Sequence, residues 1–305
     1  TKDKGGFNVA KPVADALLAA GHTIHVFAEG VAGSEWLQAG VEPEFRGPLN
    51  FKETPFSFDA RERLENANPD VVVATMGAPI NMEDLMACAA NGLDIPLVLI
   101  EDVWASFTRT RARPQLVFTL DEFGRQLLAK DARTGRAKIL ISGNPAVQNL
   151  QVSDDLRACM DNLRFKYGRL VLFCGEGEGT ADLLRVALGS LRMSTEDFVL
   201  IPRFHPKYAD KPALRIAWDA MLDLFGGRDS LGRKQVLRLD DVSNTDALAA
   251  LCDITMSGVS TTLIHAAKNG RLSVAITTPY CQALYQPSVD GMYQRFPGVD
   301  LGYAL

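Results

Sequence analysis

The sequence predicts an α/β protein of two domains, each a parallel sheet covered by helices on both faces. Three observations carry this expectation. The 305 residues exceed one ordinary compact domain and suit two of roughly 150. Short continuous apolar runs, the mark of strands buried on both faces, alternate with helical stretches. The alternation pauses after Gly143-Asn144-Pro145, crosses a polar helical stretch at Ser153 to Tyr167, and begins again at Leu170. The expected division is therefore 1–145, a linker over 146–168, and 169–305, two Rossmann-like domains facing each other across a cleft.

Element by element, Gly5-Gly6-Phe7-Asn8 reads as a glycine turn opening a helix from Val9 to Ala20, with Pro12 in its first turn, where a missing N–H costs little. Such a turn normally follows a strand, so a short opening strand ahead of Thr1 is expected. Thr23 to Ala28 is apolar and β-branched enough for the next strand, and Val31 to Ala39 makes a short helix around Trp36. Gly40 to Pro55 reads as loop. Further strands are expected at Val71 to Thr75, Ile95 to Ile100, Leu116 to Thr119 and Lys138 to Ser142, with a helix from Met82 to Asn91.

In the second half, strands are expected at Leu170 to Cys174, Phe198 to Pro202, Val236 to Leu239, Ile254 to Met256 and Ser273 to Thr277. Helices are expected at Ala181 to Leu191, Thr245 to Cys252 and Thr261 to Asn269, with a charged glycine-rich loop at Gly226 to Lys234.

Composition narrows the function classes. A hydrophobic share of 47% and a charged share of 23% are those of a globular protein. The net charge of -5 offers no basic field for a nucleic-acid backbone. Five scattered cysteines without a CxxC pair argue against zinc and disulfides and fit a reducing compartment. No apolar run is long enough to cross a bilayer and no signal peptide opens the chain, so a cytoplasmic location is expected. The oligomeric state stays open.

Three segments at expected carboxyl ends of strands in the second half carry the chemistry, the edge at which open α/β sheets bind ligands. Gly175-Glu176-Gly177-Glu178-Gly179-Thr180 links a strand to a helix, where glycines permit close backbone approach and free N–H groups attract anions. Its spacing is not GxGxxG, and its two glutamates would repel a phosphate unless they face a ribose or sugar. Arg203, His205 and Lys207 gather in one turn and can stabilise phosphate charge. Ser257-Gly258-Val259-Ser260-Thr261-Thr262 closes a strand with hydroxyls and a glycine before an apolar helix. Ser260 or Thr261 can cap that helix, and the same geometry makes an anion site.

These motifs resemble the GT-B superfamily of nucleotide-sugar glycosyltransferases and the related UDP-N-acetylglucosamine 2-epimerases. Gly5-Gly6 with its helix and Gly21-His22 resembles the opening of such proteins. Ile141-Ser142-Gly143-Asn144-Pro145 resembles the "TGNP" ahead of their interdomain linker. His205-Pro206 resembles the "HP" of bacterial sialyltransferases and glycerol-phosphate polymerases, and Ser260-Thr261 through Gly270 resembles the "ST…E…G" helix. The resemblance covers nearly the whole chain. It implies a nucleotide-sugar substrate, no further cofactor and no metal, with the donor held by 169–305 and an acceptor against 1–145.

Residue by residue, the resemblance puts donor binding on Gly175, Glu176, Gly177, Arg203, His205, Ser257, Gly258, Ser260, Thr261, Thr262 and His265. His265 stands where the family has a ribose-binding glutamate. The acceptor side takes Gly5, Gly6, Asn8 and Gly77. Asn8 cannot take a proton, so the base is sought at Glu101 and Asp102, with His205 as the third catalytic candidate. The alternative for Glu101 and Asp102 is pairing with Arg109, Arg111 or Arg113, or helix capping. His22 and His25 read as structural. Glycosyl transfer leads, ahead of epimerisation and of a non-catalytic binding protein.

Overall fold

The computed structural model describes residues 1, 4–44, 58–75, 81–104, 106–148, 150–205, 211–226, 235–242, 244–285 and 297–305. It separates into two compact units, Thr1–Asn149 and Leu150–Leu305.

The first unit opens with helices α1 (Lys4–Ala19), α2 (Gly30–Gln38) and α3 (Phe58–Ala67). Strand β1 (Val72–Thr75), α4 (Met82–Gly92), β2 (Leu97–Ile100), β3 (Leu116–Thr119), α5 (Glu122–Leu128), β4 (Lys138–Ile141) and α6 (Pro145–Gln148) follow. The four strands form a parallel sheet in chain order. The apolar runs become strands because both faces are covered. Leu97, Leu99 and Val117 pack with Phe107 and Leu128, while Leu64, Met82, Leu85 and Met86 bind α3 to α4.

Two expectations fail here. Gly5 and Gly6 make no turn: they lie in the first turn of α1, which begins at Lys4, so Pro12 falls inside the helix. Pro12 has no N–H to give the carbonyl of Asn8 four residues earlier. Thr23 to Ala28 forms no strand among the described residues, with a bridge residue at Phe27 alone. Its polar groups pair instead with chain ends and loops: the Thr1 amino group donates to the Phe27 carbonyl (2.7 Å), the Glu29 N–H to the Thr1 carbonyl (2.9 Å) and the Glu44 N–H to the Val26 carbonyl (2.8 Å).

The second unit contains α7 (Asp154–Tyr167), β5 (Arg169–Cys174), α8 (Thr180–Arg192), β6 (Phe198–Arg203), α9 (Pro212–Phe225) and α10 (Thr245–Leu251), then β7 (Ile254–Ser257), α11 (Thr262–Lys268), β8 (Leu272–Ala275), α12 (Pro279–Tyr285) and α13 (Pro297–Asp300). The sheet is parallel with strand order β6-β5-β7-β8. Alternation along β5 divides the core in two. Val171 and Phe173 pack with α8, α9 and Cys281 on one face. Leu170, Leu172 and Cys174 pack with Met160, Leu248 and Ala266 on the other. Because Met160 of α7 is fully buried in that second core, the helix expected as a connection is part of the second unit's packing.

Val236 to Leu239, expected as a strand, contributes an isolated bridge in which Leu200 pairs with Val236 beside β6. Helix α9 was absent from the sequence expectation. Its signals are Pro212 in the first turn and the apolar face of Trp218, Leu222 and Phe225. The loop residues 227–234 and the stretch 206–210, with Pro206 and Lys207, lie outside the described residues.

Candidate functional site

From β5 the chain first goes outward to β6, then crosses back to place β7 on the other side of β5. That reversal is a topological switch point, where the loops after the two strands part and leave a crevice at their carboxyl ends. The pairings Cys174 with Arg203 and Phe173 with Met256 bring the turns after β5, β6 and β7 to the same edge. The structure thus gathers Gly175–Thr180, Arg203–His205 and Ser257–Thr262, as the sequence motifs expect.

The β5 turn is held from within. The Thr180 hydroxyl accepts the Glu176 N–H (2.7 Å), and the Gly175 N–H donates to the Arg203 carbonyl (2.9 Å). Gly177 has φ +39°, a conformation L side chains rarely adopt. Trp218 of α9 supports two turns at once. It lies 3.2 Å from the place of a Cβ on Gly175 and packs edge-on against Phe204, ring centres 5.4 Å apart. Phe204 is thereby fixed between Arg203 and His205. The guanidinium of Arg203 donates to the Leu239 carbonyl, which orients it, and His205 is half-buried.

The other glycines have a different reason from the one the sequence suggests. A Cβ on Gly179 would lie 2.1 Å from Cδ1 of Tyr280, and one on Gly258 would lie 2.5 Å from Sγ of Cys281. These glycines admit the first turn of α12. Neither Tyr280 nor Cys281 was a sequence candidate, since nothing local marks a helix that folds back onto turns so far away in the chain.

Glu176 is the residue that joins the crevice. Its side chain is nearly buried, 8% exposed, and Oε1 accepts the Val259 N–H (2.8 Å) and the Ser257 hydroxyl (2.8 Å). Burial pushes its carboxyl up to about 7, against the pull of the Val259 N–H, the Ser257 hydroxyl and the Gly258 N–H. The Ser257 hydroxyl also lies 2.8 Å from the Cys174 carbonyl. Thr262 donates from its hydroxyl to Ser260 Oγ at 2.8 Å, and Ser260 therefore keeps its own proton for another acceptor. Ser260 and Thr261 are half-buried.

His265 is buried on α11, 3% exposed, with Nε2 3.6 Å from Oδ2 of Asp246 on α10 and with Nδ1 lacking a hydrogen-bond partner. Burial holds its pKa below the usual imidazole value, opposed by Asp246. Asp246 was not a sequence candidate.

In the first unit the two expected bases, Glu101 and Asp102, differ in burial. Glu101 has no exposed surface. Its Oε2 accepts the Thr119 hydroxyl (2.6 Å) and its Oε1 the Phe107 N–H (3.3 Å), and burial pushes its carboxyl up to about 8. A carboxyl so placed ties the end of β2 to β3. Of the arginines that are alternative partners for Glu101 and Asp102, Arg111 pairs with Asp84 of α4 (2.6 Å), and the backbone N–H of Arg113 bonds Asn91. Asp102 is half-buried, and its carbonyl accepts Nδ2 of Asn144 (2.8 Å), which gives the Gly143-Asn144-Pro145 motif a structural task. Of the acceptor-side candidates, Gly5 is exposed, Gly6 buried and Asn8 half-buried on α1, while Gly77 lies outside the described residues. His22 is exposed and His25 pairs with Glu44.

A cavity of about 800 Å³ lies in the first unit. It is walled by α1, residues 21–27, β1 and α4. Leu17, Val26, Leu64, Val73 and Met86 make much of the lining apolar, and His22, His25, Asp70 and Glu83 also line it. Among the described residues no helix is long and apolar enough to cross a membrane.

No family model matches the chain, and no curated protein matches it by sequence. Solved structures do match. The S. aureus MnaA–UDP co-structure has a TM-score of 0.68 at 12% identity, covering 91% of this chain and 78% of its own. UDP-GlcNAc 2-epimerase from Neisseria meningitidis, bound to UDP-GlcNAc, has 0.65 at 15%, covering 92% and 84%. Acinetobacter baumannii MurG has 0.58 at 13%, covering 93% and 80%. The fold is therefore that of the GT-B-like proteins, with two Rossmann-like domains.

Proposed function

We propose that this chain is an enzyme acting on a nucleotide-linked sugar, and that its second unit holds the phosphorylated part of that substrate. The observation that carries the reading is the convergence of the three turns at the switch point between β5 and β7. Arg203, His205, the Val259 N–H and the Ser260 hydroxyl supply cationic and neutral donors for phosphate oxygens at one sheet edge. The likeness in fold to proteins solved with UDP and UDP-GlcNAc supports the same class.

Glycosyl transfer is the reaction we favour. Its leaving group is a diphosphate, whose growing charge needs donors of this kind. It also needs a base for the acceptor hydroxyl, and with Glu101 enclosed that part falls to Asp102. Epimerisation is the second reading, favoured by the likeness to 2-epimerases. It requires acid–base groups about the sugar ring, and in the β5 turn Glu176 is engaged by Ser257 and Val259 and Glu178 by Lys211.

The test is incubation of the full chain with UDP-, CMP-, CDP- and GDP-linked sugars, following nucleotide release and the configuration of each sugar carbon. Nucleotide released in step with a glycosylated acceptor supports transfer. An inverted sugar carbon supports epimerisation and overturns transfer. Tight binding without turnover makes the chain a binding protein, and absence of binding by the folded chain overturns the class itself.

A further inference from the structure

The edge where the β5 and β7 turns meet already holds a carboxyl, and it belongs to the protein. Glu176 enters from the β5 turn and takes the backbone N–H of Val259 and the hydroxyl of Ser257, both at 2.8 Å. Of these, the half-buried Val259 N–H belongs to the β7 turn that the nucleotide-sugar reading assigns to a phosphate oxygen, while Ser257 is fully buried and its hydroxyl also lies 2.8 Å from the Cys174 carbonyl. Thr180 fixes the backbone of Glu176, and Gly177 with its positive φ bends the chain back, so the carboxylate is directed into the crevice by the turn itself. Tyr280 and Cys281 close the glycines Gly179 and Gly258 from outside. The position is built for a carboxylate.

We propose that Glu176 selects the charge state of the ligand complex: a phosphorylated ligand enters the β7 turn only with Glu176 protonated. This deepens the nucleotide-sugar reading above and rests on it. Two anions sharing one set of donors in a buried crevice repel each other, and the smaller free-energy cost is for the carboxyl to keep its proton. The neutral carboxyl then has a proton to donate to a phosphate oxygen, and the complex binds one proton more than its parts.

Several ionisable groups surround Glu176, with His205 at the end of the β6 turn among them. From β5, the Cys174 thiol is pushed up to about 12 by burial. From α12, the Cys281 thiol is also raised by burial. On α11, His265 is held below the usual imidazole value, and Asp246 of α10 faces it. Arg203 contributes a cation from the end of β6, and Glu178 in the same turn points to Lys211. The Glu176 carboxyl itself lies at about 7 without ligand.

The experiment is calorimetric titration of UDP, with inorganic pyrophosphate as a second probe, into the full chain and into Glu176→Gln between about pH 7 and 9, where the nucleotide's own phosphate is ionised. Thermal melting checks that both proteins are folded, and Glu176→Ala serves as a second variant. In the native chain the Kd rises as pH increases, approaching about tenfold per pH unit, with uptake of one proton seen in buffers of different ionisation enthalpy. In Glu176→Gln the Kd changes less than about twofold over the range, and at the alkaline end the variant binds more tightly than the native chain by about tenfold or more. Equal pH slopes in the two proteins overturn the proposal while leaving nucleotide binding intact. Weaker binding by both variants at every pH overturns it too, since the carboxylate would then assist the ligand. Failure of UDP and pyrophosphate to bind any of the folded proteins overturns the nucleotide reading, and this inference with it.

Discussion

The Glu176 carboxylate accepts the backbone N–H of Val259 at 2.8 Å, joining two turns that are 83 residues apart in sequence. That bond makes one site out of the glycine turn after β5 and the hydroxyl turn after β7. It also explains why acidic residues stand in a turn whose glycines suggest phosphate: Glu176 serves the neighbouring turn, and Glu178 pairs with Lys211 outside.

The first prediction concerns the glycines. Gly179→Ala places a methyl 2.1 Å from the Tyr280 ring and requires α12 to shift. Overpacking of this kind costs about 1–3 kcal/mol. Chemical denaturation of Gly179→Ala, Tyr280→Ala and the double variant should show that the double loses less than the sum of the singles. A Gly179→Ala protein as stable as the native one contradicts the packing account.

The second concerns pH and the first unit. Glu101 has a folded pKa raised from 4.5 to about 8 by burial. Between those values the folded state holds a proton that the unfolded state has released, so stability falls as pH rises, at most by about 1.4 kcal/mol per unit. Above about 8 this contribution levels off. Glu101→Gln should flatten that decline when melting is followed against pH. Glu101→Ala should instead lose about 1–3 kcal/mol, because the Phe107 N–H and Thr119 hydroxyl lose their acceptor. Parallel curves for the native and glutamine proteins would show that Glu101 does not titrate as described.

These two cases also show what the sequence could reveal. The strands β5 and β6 were legible because residues on both faces are apolar: Val171 and Phe173 serve one core, Leu170 and Leu172 the other. The three turns were legible for the same reason, since each follows such a run. Thr23 to Ala28 carries the same composition, but the sheet partners are decided by contacts remote in sequence. Gly5-Gly6 looks like a turn, yet the amphipathic face of Val9 and Ala14 carries the helix back to Lys4. Glu101 looked catalytic from its place after a strand. Its enclosure by Thr119 and Phe107 was not legible, since neither partner is marked in the sequence. The contacts of Tyr280 and Cys281 with distant glycines were invisible for the same reason.

A third prediction addresses His265, which stands where the resembled family has glutamate. Asp246 lies 3.6 Å away, and a glutamate at this position would put two carboxylates together in a buried place. His265→Glu should cost about 3 kcal/mol or more, more than His265→Gln, and Asp246→Asn should remove most of the difference. Equal melting temperatures for the two single variants would separate His265 from Asp246.

His205 supplies the fourth. It is half-buried beside Phe204, whose ring is anchored on Trp218, so removal of the imidazole leaves the turn supported. His205→Ala should weaken UDP binding about tenfold, the worth of one hydrogen bond to a charged group, without lowering the melting temperature. An unchanged affinity in the folded variant places the phosphate elsewhere.

The central claim is that the switch-point edge of the second unit receives the phosphorylated ligand, and backbone hydrogen exchange of the full chain with and without UDP tests it most directly. The account predicts slower exchange in residues 175–180, 203–205 and 257–265, with little change around residues 21–27 and β1. Protection confined to the segments lining the apolar cavity of the first unit, with none in the three turns, would contradict it.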